Sequence, residues 1–248
     1  MNIQSYLERI KYEEVTQKDL ATLSQLQMNH LLHVPFENLD VMRKVEIPLD
    51  VQTYYRKIVE NRRGGFCYEL NGLFHWLLTN LGYQARLISA TVKRGDGTWT
   101  MEGSHAALIV ELEQPYFVDV GFGDSARKPL PLTGEIHRDV SGTYRIYRVE
   151  PDRYDLQQMG DHDEWRTRMR FTLTSKQLSD FKEPCHFNQT SPNSNFTRGE
   201  LATIATPEGR VTFSKDKLTE TYQGEKVERP VQKDEKARVL KQYFGIVL

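Results

Sequence analysis

Arg63-Gly64-Gly65-Phe66-Cys67-Tyr68-Glu69-Leu70 is the stretch on which the fold turns. After the cysteine, Leu70, Leu73, Phe74, Leu77, Leu78 and Leu81 recur at the i, i+3, i+4, i+7 spacing of a helix that buries one face, and Gly82 stands where such a helix stops. Before it, two glycines interrupt regular structure and permit a sharp turn. Cys67 is therefore expected in the first turn of a core helix, beside backbone N–H groups with no intrahelical acceptor and the positive end of the helix dipole. That setting favours the thiolate, which is the nucleophilic form. A free cysteine is more often a small buried hydrophobe, and position alone leaves both readings open.

On the N-terminal side the chain reads as helical. Thr16 and Asp19 precede Leu20, Leu23, Leu26 and Leu31, and Asp50 precedes Val51, Tyr54, Tyr55, Ile58 and Val59. Between these two segments His33-Val34-Pro35-Phe36-Glu37-Asn38-Leu39-Asp40 reads as a loop, because Pro35 excludes a continuing helix. On the C-terminal side the period changes to two. Strands are expected over 85–92, 104–112 and 116–120, with strand-like pieces near 143–149 and 164–174. Together they read as an antiparallel sheet or small barrel. Pro184, Pro192 and the Asn, Ser and Thr cluster over 188–197 mark an ordered loop or boundary. A hairpin around Pro207-Glu208-Gly209 follows, then a helix from Asp234 to Gly245.

A chain of 248 residues has ample length for a real core. Its 33 basic and 34 acidic residues nearly cancel, so neither a broad nucleic-acid footprint nor polybasic membrane attachment is expected. The charged start lacks an apolar signal core, and no apolar run reaches bilayer length. Two cysteines, Cys67 and Cys185, make no disulfide framework, and a reducing cytoplasmic setting is the expectation. No spacing suited to a metal site occurs, and neither do the common phosphate-binding glycine motifs.

A nucleophilic Cys67 needs a base, and the base needs a group to orient it. Among seven histidines, His105 heads a strongly apolar strand, and the following strand carries Asp119 amid Val, Phe and Gly. A lone carboxylate in such surroundings calls for a partner, although a strand-end aspartate capping backbone is the plainer alternative. Were the two strands a hairpin with an odd-length loop, His105 and Asp119 would share a face. His75, inside the Cys67 helix, reads as satisfied or solvated, and His162 lies in the acidic run Asp161-His162-Asp163-Glu164. Arg63 and Glu37, each in a hydrophobic or glycine-rich motif, are candidates for a buried ion pair that fixes the Cys67 turn, with two surface charges as the alternative. Gly121-Phe122-Gly123, followed by Arg127 and Lys128, is the glycine loop with adjacent cations; it reads as a strand exit or as a site for an anionic cofactor.

Taken in order, Tyr6-Leu7-Glu8-Arg9-Ile10, HVPFENLD (33–40), RGGFCYELNGLF (63–74), SHAALIVEL (104–112), YFVDVGFGDSARKPL (116–130), NQTSPNSNFTRGEL (188–201) and YFGIVL (243–248) resemble the arylamine N-acetyltransferase family over nearly the whole chain. The resemblance implies an α+β architecture with a papain-like thiol-enzyme arrangement: a helical bundle over 1–83, an antiparallel β-barrel over 84–190 and an α/β lid over 191–248. It implies Cys67, His105 and Asp119 as a catalytic triad, with Gly121, Phe122 and Gly123 lining the acetyl and acceptor cleft. The implied activity is acetyl transfer from acetyl-CoA, a substrate rather than a bound cofactor, to a small aromatic amine or hydrazine through an acetyl-Cys67 intermediate. The implied setting is xenobiotic metabolism. Arg127 and Lys128 are the expected contacts for the CoA phosphates and Phe122 for the acceptor ring. A transglutaminase- or peptidase-like thiol enzyme, or a non-catalytic relative that binds CoA or an aromatic ligand, are the alternatives.

Overall fold

A computed structural model describes residues 1–160 and 162–248; Asp161, at the head of the acidic run around His162, lies outside them. The N-terminal third holds α1 (Ile3–Arg9), α2 (Leu20–His33), β1 (Phe36–Glu37), α3 (Leu39–Met42), α4 (Val51–Tyr55) and α5 (Cys67–Asn80). Each boundary has a local cause. Asp19 caps α2 through the Thr22 N–H at 2.8 Å, Asp50 caps α4 through that of Thr53 at 2.8 Å, and Gly82 after α5 takes φ +86°. A π-helical turn over Arg56–Glu60 extends α4. Fourteen residues long, α5 is buried along nearly all its faces, and it packs against both helices and sheet.

The middle of the chain builds an eight-stranded antiparallel sheet in the order β5-β4-β3-β2-β9-β8-β7-β6. Its strands are β2 (Gln84–Val92), β3 (His105–Glu111), β4 (Pro115–Val118), β5 (Leu130–Pro131), β6 (His137–Asp139), β7 (Gly142–Glu150), β8 (Arg153–Met159) and β9 (Trp165–Thr172). The sheet curls until β5 lies against β7, nearly closing a barrel. Strand alternation divides the core in two. Ala106, Leu108, Val110, Tyr116 and Val118 face the helices, while Ala107, Ile109 and Phe117 join Ile88, Ile146, Leu156 and Phe171 inside the curl.

The segment read as a boundary loop contains α6 (Lys182–Thr190). Pro184 sits in its first turn, where a missing N–H loses no intrahelical bond, so proline does not exclude helix there. A second sheet follows from β10 (Leu201–Thr206), β11 (Gly209–Ser214), β12 (Lys217–Tyr222) and β13 (Glu225–Pro230), and α7 (Lys236–Phe244) covers it. Its order is β1-β10-β11-β12-β13, so Phe36–Glu37 leaves the helical third and becomes an edge of the C-terminal sheet. No described helix is long and apolar enough to cross a membrane. Helices, curled antiparallel sheet and a C-terminal α/β layer are the α+β architecture expected from the motifs.

Candidate active site

The glycines before Cys67 are dictated by close backbone contact. Gly65 pairs with Phe36, and Gly65 O accepts the Glu37 N–H at 2.9 Å. A Cβ on Gly64 would lie 2.0 Å from Pro35 O, so the HVPFEN segment and the cysteine turn are held as one unit. Charges secure the same junction. Arg63 donates to Glu37 at 2.7 Å and to Asp40 at 3.0 Å, and Lys57 reaches Asp40 and Glu69 at 2.8 Å each. Glu69, fully buried, turns back to accept the Phe66 N–H at 3.0 Å. Burial pushes its carboxyl above the ordinary range while Lys57 pulls it down, leaving it raised.

His105 and Asp119 share a face because β3 and β4 pair Leu108 with Val118 and Ile109 with Phe117. Continued one step, that register sets Asp119 across from Ala107, on the diagonal to His105. His105 Nε2 lies 2.7 Å from Asp119 Oδ2, both groups buried. The other carboxylate oxygen, Oδ1, accepts Asn71 Nδ2 and the Gly121 N–H, each at 2.8 Å. Asn71 also donates to Ala106 O at 2.7 Å and accepts the Val120 N–H at 3.0 Å. One turn after Cys67 on α5, Asn71 thus ties the cysteine helix to both strands. Gly121 approaches so closely that an added Cβ would lie 2.8 Å from Cys67 Cα.

Burial alone would drive the His105 imidazole neutral, but the Asp119 carboxylate and the Cys67 sulfur outweigh it and hold its pKa up at about 10. Cys67 Sγ is 4.0 Å from Ser104 O, a carbonyl that also accepts Tyr68 Oη at 2.8 Å and Asn188 Nδ2 at 3.1 Å. Three elements thus converge beside His105. Other histidine rings are engaged elsewhere: His30 meets Tyr6 Oη at 3.0 Å, His33 meets Asn29 O at 2.8 Å, and His75 meets Ala85 O at 3.1 Å.

Cys67, His105, Gly121, Phe122 and Gly123 line one cavity of about 380 Å³. Phe122 meets His105 edge-on at 5.4 Å, with the Arg168 guanidinium 5.2 Å from its ring. Phe36, Phe187 and Phe196 add aromatic wall, and Asn188 and Ser194 add polar groups. Arg63 and Glu37 lie outside this lining, in the ion cluster behind the cysteine turn.

The expectation for Arg127 and Lys128 is corrected by the geometry. Arg127 is buried, and its guanidinium donates to Ser141 Oγ, Thr206 O and Gly209 O, stitching the barrel to the C-terminal sheet. Lys128 is exposed and does not line the cavity. The cations that do are Arg94 and Arg210, and Arg210 is held by Thr203 Oγ1 at 3.0 Å and Asp124 at 3.3 Å. Neither carries a local sequence signal, since the β2–β3 loop and β11 reach the cavity only through tertiary packing. Asn71 does carry one, as a polar residue in the helix four positions after the cysteine.

The sequence model of the family described as N-acetyltransferase matches residues 19–248. The arylamine N-acetyltransferase of Escherichia coli K12 is 32% identical over 228 residues, covering 90% of this chain and 80% of that one. An uncharacterized acetyltransferase of Bacillus subtilis, YvcN, is 34% identical over 192 residues, 75% of this chain and 74% of its own. Among solved structures, a Bacillus cereus arylamine N-acetyltransferase described as having a unique Cys-His-Glu catalytic triad superposes with TM-score 0.93 at 27% identity, over 100% of both chains. The Mycobacterium marinum enzyme in complex with CoA gives 0.90 at 30% identity, over 99% of this chain and 93% of that one. On the extent of these matches, the chain belongs to the arylamine N-acetyltransferase family.

Proposed function

We propose that Cys67, His105 and Asp119 form the catalytic triad of this acyltransferase, which moves an acetyl group from acetyl-CoA to an aromatic amine or arylhydrazine. The observation that carries the assignment is that His105 lines the cavity beside Cys67 while paired at 2.7 Å with buried Asp119 behind it. Acetyl-CoA is the donor substrate, and the chemistry needs no permanently bound cofactor. Cys67 thiolate attacks the thioester carbonyl, while N–H groups of the first turn of α5 stabilise the oxyanion. The C–S bond to CoA breaks, and the His105 imidazolium gives the departing sulfur its proton. Acylation removes the sulfur's contribution to the raised His105 pKa, so the imidazole holds its proton less tightly and is more readily present in the neutral form that accepts one. The amine then attacks acetyl-Cys67, His105 takes its proton, and thiolate and imidazolium are restored. Asp119 keeps one ring nitrogen engaged throughout.

Aromatic amines stay unprotonated and nucleophilic at neutral pH, and the phenylalanine-rich wall suits their rings. Phe122, with Gly121 and Gly123, is assigned to the acetyl and acceptor cleft. For the CoA phosphates we assign Arg94 and Arg210 in place of Arg127 and Lys128. The division into 1–83, 84–190 and 191–248, a cytoplasmic location and a role in processing foreign amines belong to the same reading. The test is an intact-protein mass spectrum after brief mixing with acetyl-CoA. One acetyl adduct is expected, absent in Cys67→Ala and discharged by an aromatic amine. A folded protein that takes no acetyl group, or one that keeps it in the presence of amine, overturns the assignment.

A further inference from the structure

The C-terminal sheet ends on β13, and among the described residues nothing pairs with its outer side. Val227 at its centre is 71% exposed, the most exposed of the large apolar side chains described. Around it the strand reads Glu225-Lys226-Val227-Glu228-Arg229. From the geometry of this edge we propose that the protein self-associates through β13, pairing antiparallel with the same strand of a second copy about a two-fold axis through Val227.

The hydrogen-bonding direction follows from the hairpin. Gln223 and Gly224 both have positive φ, 48° and 90°, the signature of a two-residue type I′ turn closed by Tyr222 and Glu225. Such a closing pair is mutually hydrogen-bonded, and alternation along the ladder then turns the backbone of Val227 and Arg229 inward to β12. The N–H and C=O groups of Lys226 and Glu228 point to the open edge. A two-fold axis at Val227 puts Lys226 across from Glu228 of the second copy as a hydrogen-bonded pair, and the reciprocal pair repeats it. Val227 meets Val227 as the intervening pair.

The charges select that register. With Val227 on the axis, Lys226 faces Glu228 and Glu225 faces Arg229, so every charged position meets its opposite. Each other register centred on a side chain from 225 to 229 brings Glu225, Lys226, Glu228 or Arg229 onto its own copy. Mixed charge and a terminal proline also serve to keep edge strands unpaired, but that purpose does not call for a self-complementary order. Lys217, 3.3 Å from Glu228, neutralises this carboxylate from within the hairpin; both side chains stay about half exposed, leaving Glu228 free to accept a second cation. One six-residue strand per copy makes a small interface, so a dissociation constant on the order of 10–100 μM is expected, weakened several-fold by salt.

Sedimentation equilibrium over a wide concentration range measures the association. Lys226→Glu sets carboxylates against each other and is expected to weaken it by about tenfold or more. Lys226→Glu combined with Glu228→Lys restores the complementarity and the dimer. Register is read separately by oxidising Val227→Cys. Central residues of such a pair have Cα atoms about 4.5 Å apart, within disulfide range, so a cross-linked dimer is expected. Tyr222→Cys, off the axis, gives none, and the wild type gives none because Cys67 and Cys185 are buried. A protein monomeric through the millimolar range, a dimer indifferent to Lys226→Glu, failure of the double swap to restore association, or a Val227→Cys variant that does not cross-link each overturns the proposal.

Discussion

Replacing Asp119 by asparagine keeps the shape of the site and removes the charge that faces His105. In the intact protein the imidazole titrates near 10, although burial opposes its charge. Without the carboxylate the remaining dominant influence is that burial, and the midpoint should fall to 6.5 or lower. At pH 7 the imidazolium then drops from essentially the whole population to no more than about a quarter. Moving from about 10 to 6.5 corresponds to at most about 5 kcal/mol of differential interaction. The proton that should meet the departing CoA sulfur is then mostly missing, and kcat/KM should fall by roughly 100- to 10,000-fold. Stability carries the same signature. A histidine whose folded pKa is raised stabilises fully below its unfolded value of about 6.5, and that contribution is lost as pH rises toward 10. Wild-type stability to urea should therefore decline over this window, and the Asp119→Asn variant should lose most of the slope. The assay is NMR titration of the imidazole carbon-bound protons of His105, beside urea melts at several pH values. An Asp119→Asn variant whose His105 still titrates near 10 would show that Asp119 does not hold the charge, and the mechanism above would lose its orienting group.

Other outcomes follow from single contacts. Gly121→Ala places a methyl 2.8 Å from Cys67 Cα and 2.7 Å from Asn71 Nδ2, so it should destabilise by about 1–3 kcal/mol and suppress acetyl-enzyme formation in the mass spectrum. Asn71→Ala removes contacts to Asp119, Ala106 and Val120, and a stability loss of about 2–4 kcal/mol with a lower rate of acetyl-enzyme formation is expected; unchanged kinetics would exclude a positioning role. Arg127→Met should lower Tm while leaving KM for acetyl-CoA unchanged, whereas Arg210→Met should raise that KM; the reverse pattern would reinstate Arg127 as the CoA contact. Buried His30 has its pKa pushed down to about 3 by burial, with help from Arg9. Its contribution to stability is full above 6.5 and is lost as pH falls toward 3, so His30→Leu should flatten the acid limb of the urea-stability profile.

How much of this was legible depended on how local the cause was. Periodicity and caps located α2, α4, α5 and the barrel strands β2, β3, β4, β7 and β9, since each boundary is set by residues a few positions apart. The β3–β4 register required for His105 and Asp119 to meet was left open by the sequence, because it depends on which residues pair across the turn. Motif order supplied the site where periodicity stopped. Arg127 misled because an arginine in a glycine loop looks the same on paper whether it reaches solvent or bonds carbonyls of a sheet more than 70 residues away. Arg94 and Arg210 were invisible for the converse reason: nothing near them in the chain signals the cavity they enter. Strands β12 and β13 went unread because they are rich in charged and polar residues, and β8 because its apolar alternation stops after Tyr154 and Leu156, so each leaves little hydrophobic period to detect. Helix α6 was hidden by Pro184, whose place in the first turn only the folded chain reveals.

The seating of Phe36–Glu37 beside Leu201–Thr206 has a consequence for how the chain is made. Synthesis delivers the two halves of that pairing more than 160 residues apart, so the segment leading into the cysteine turn emerges from the ribosome long before its sheet neighbour exists. The Asn38 side chain waits equally long, since its amide donates to Phe196 O and Gly199 O and its carbonyl accepts the Leu201 N–H. A chain terminated between about residues 120 and 200 carries the cysteine and its histidine but leaves this seam open. The side of the cavity supplied by Leu201, Thr203, Arg210 and Thr212 is therefore added late in synthesis, long after the cysteine and its histidine have emerged.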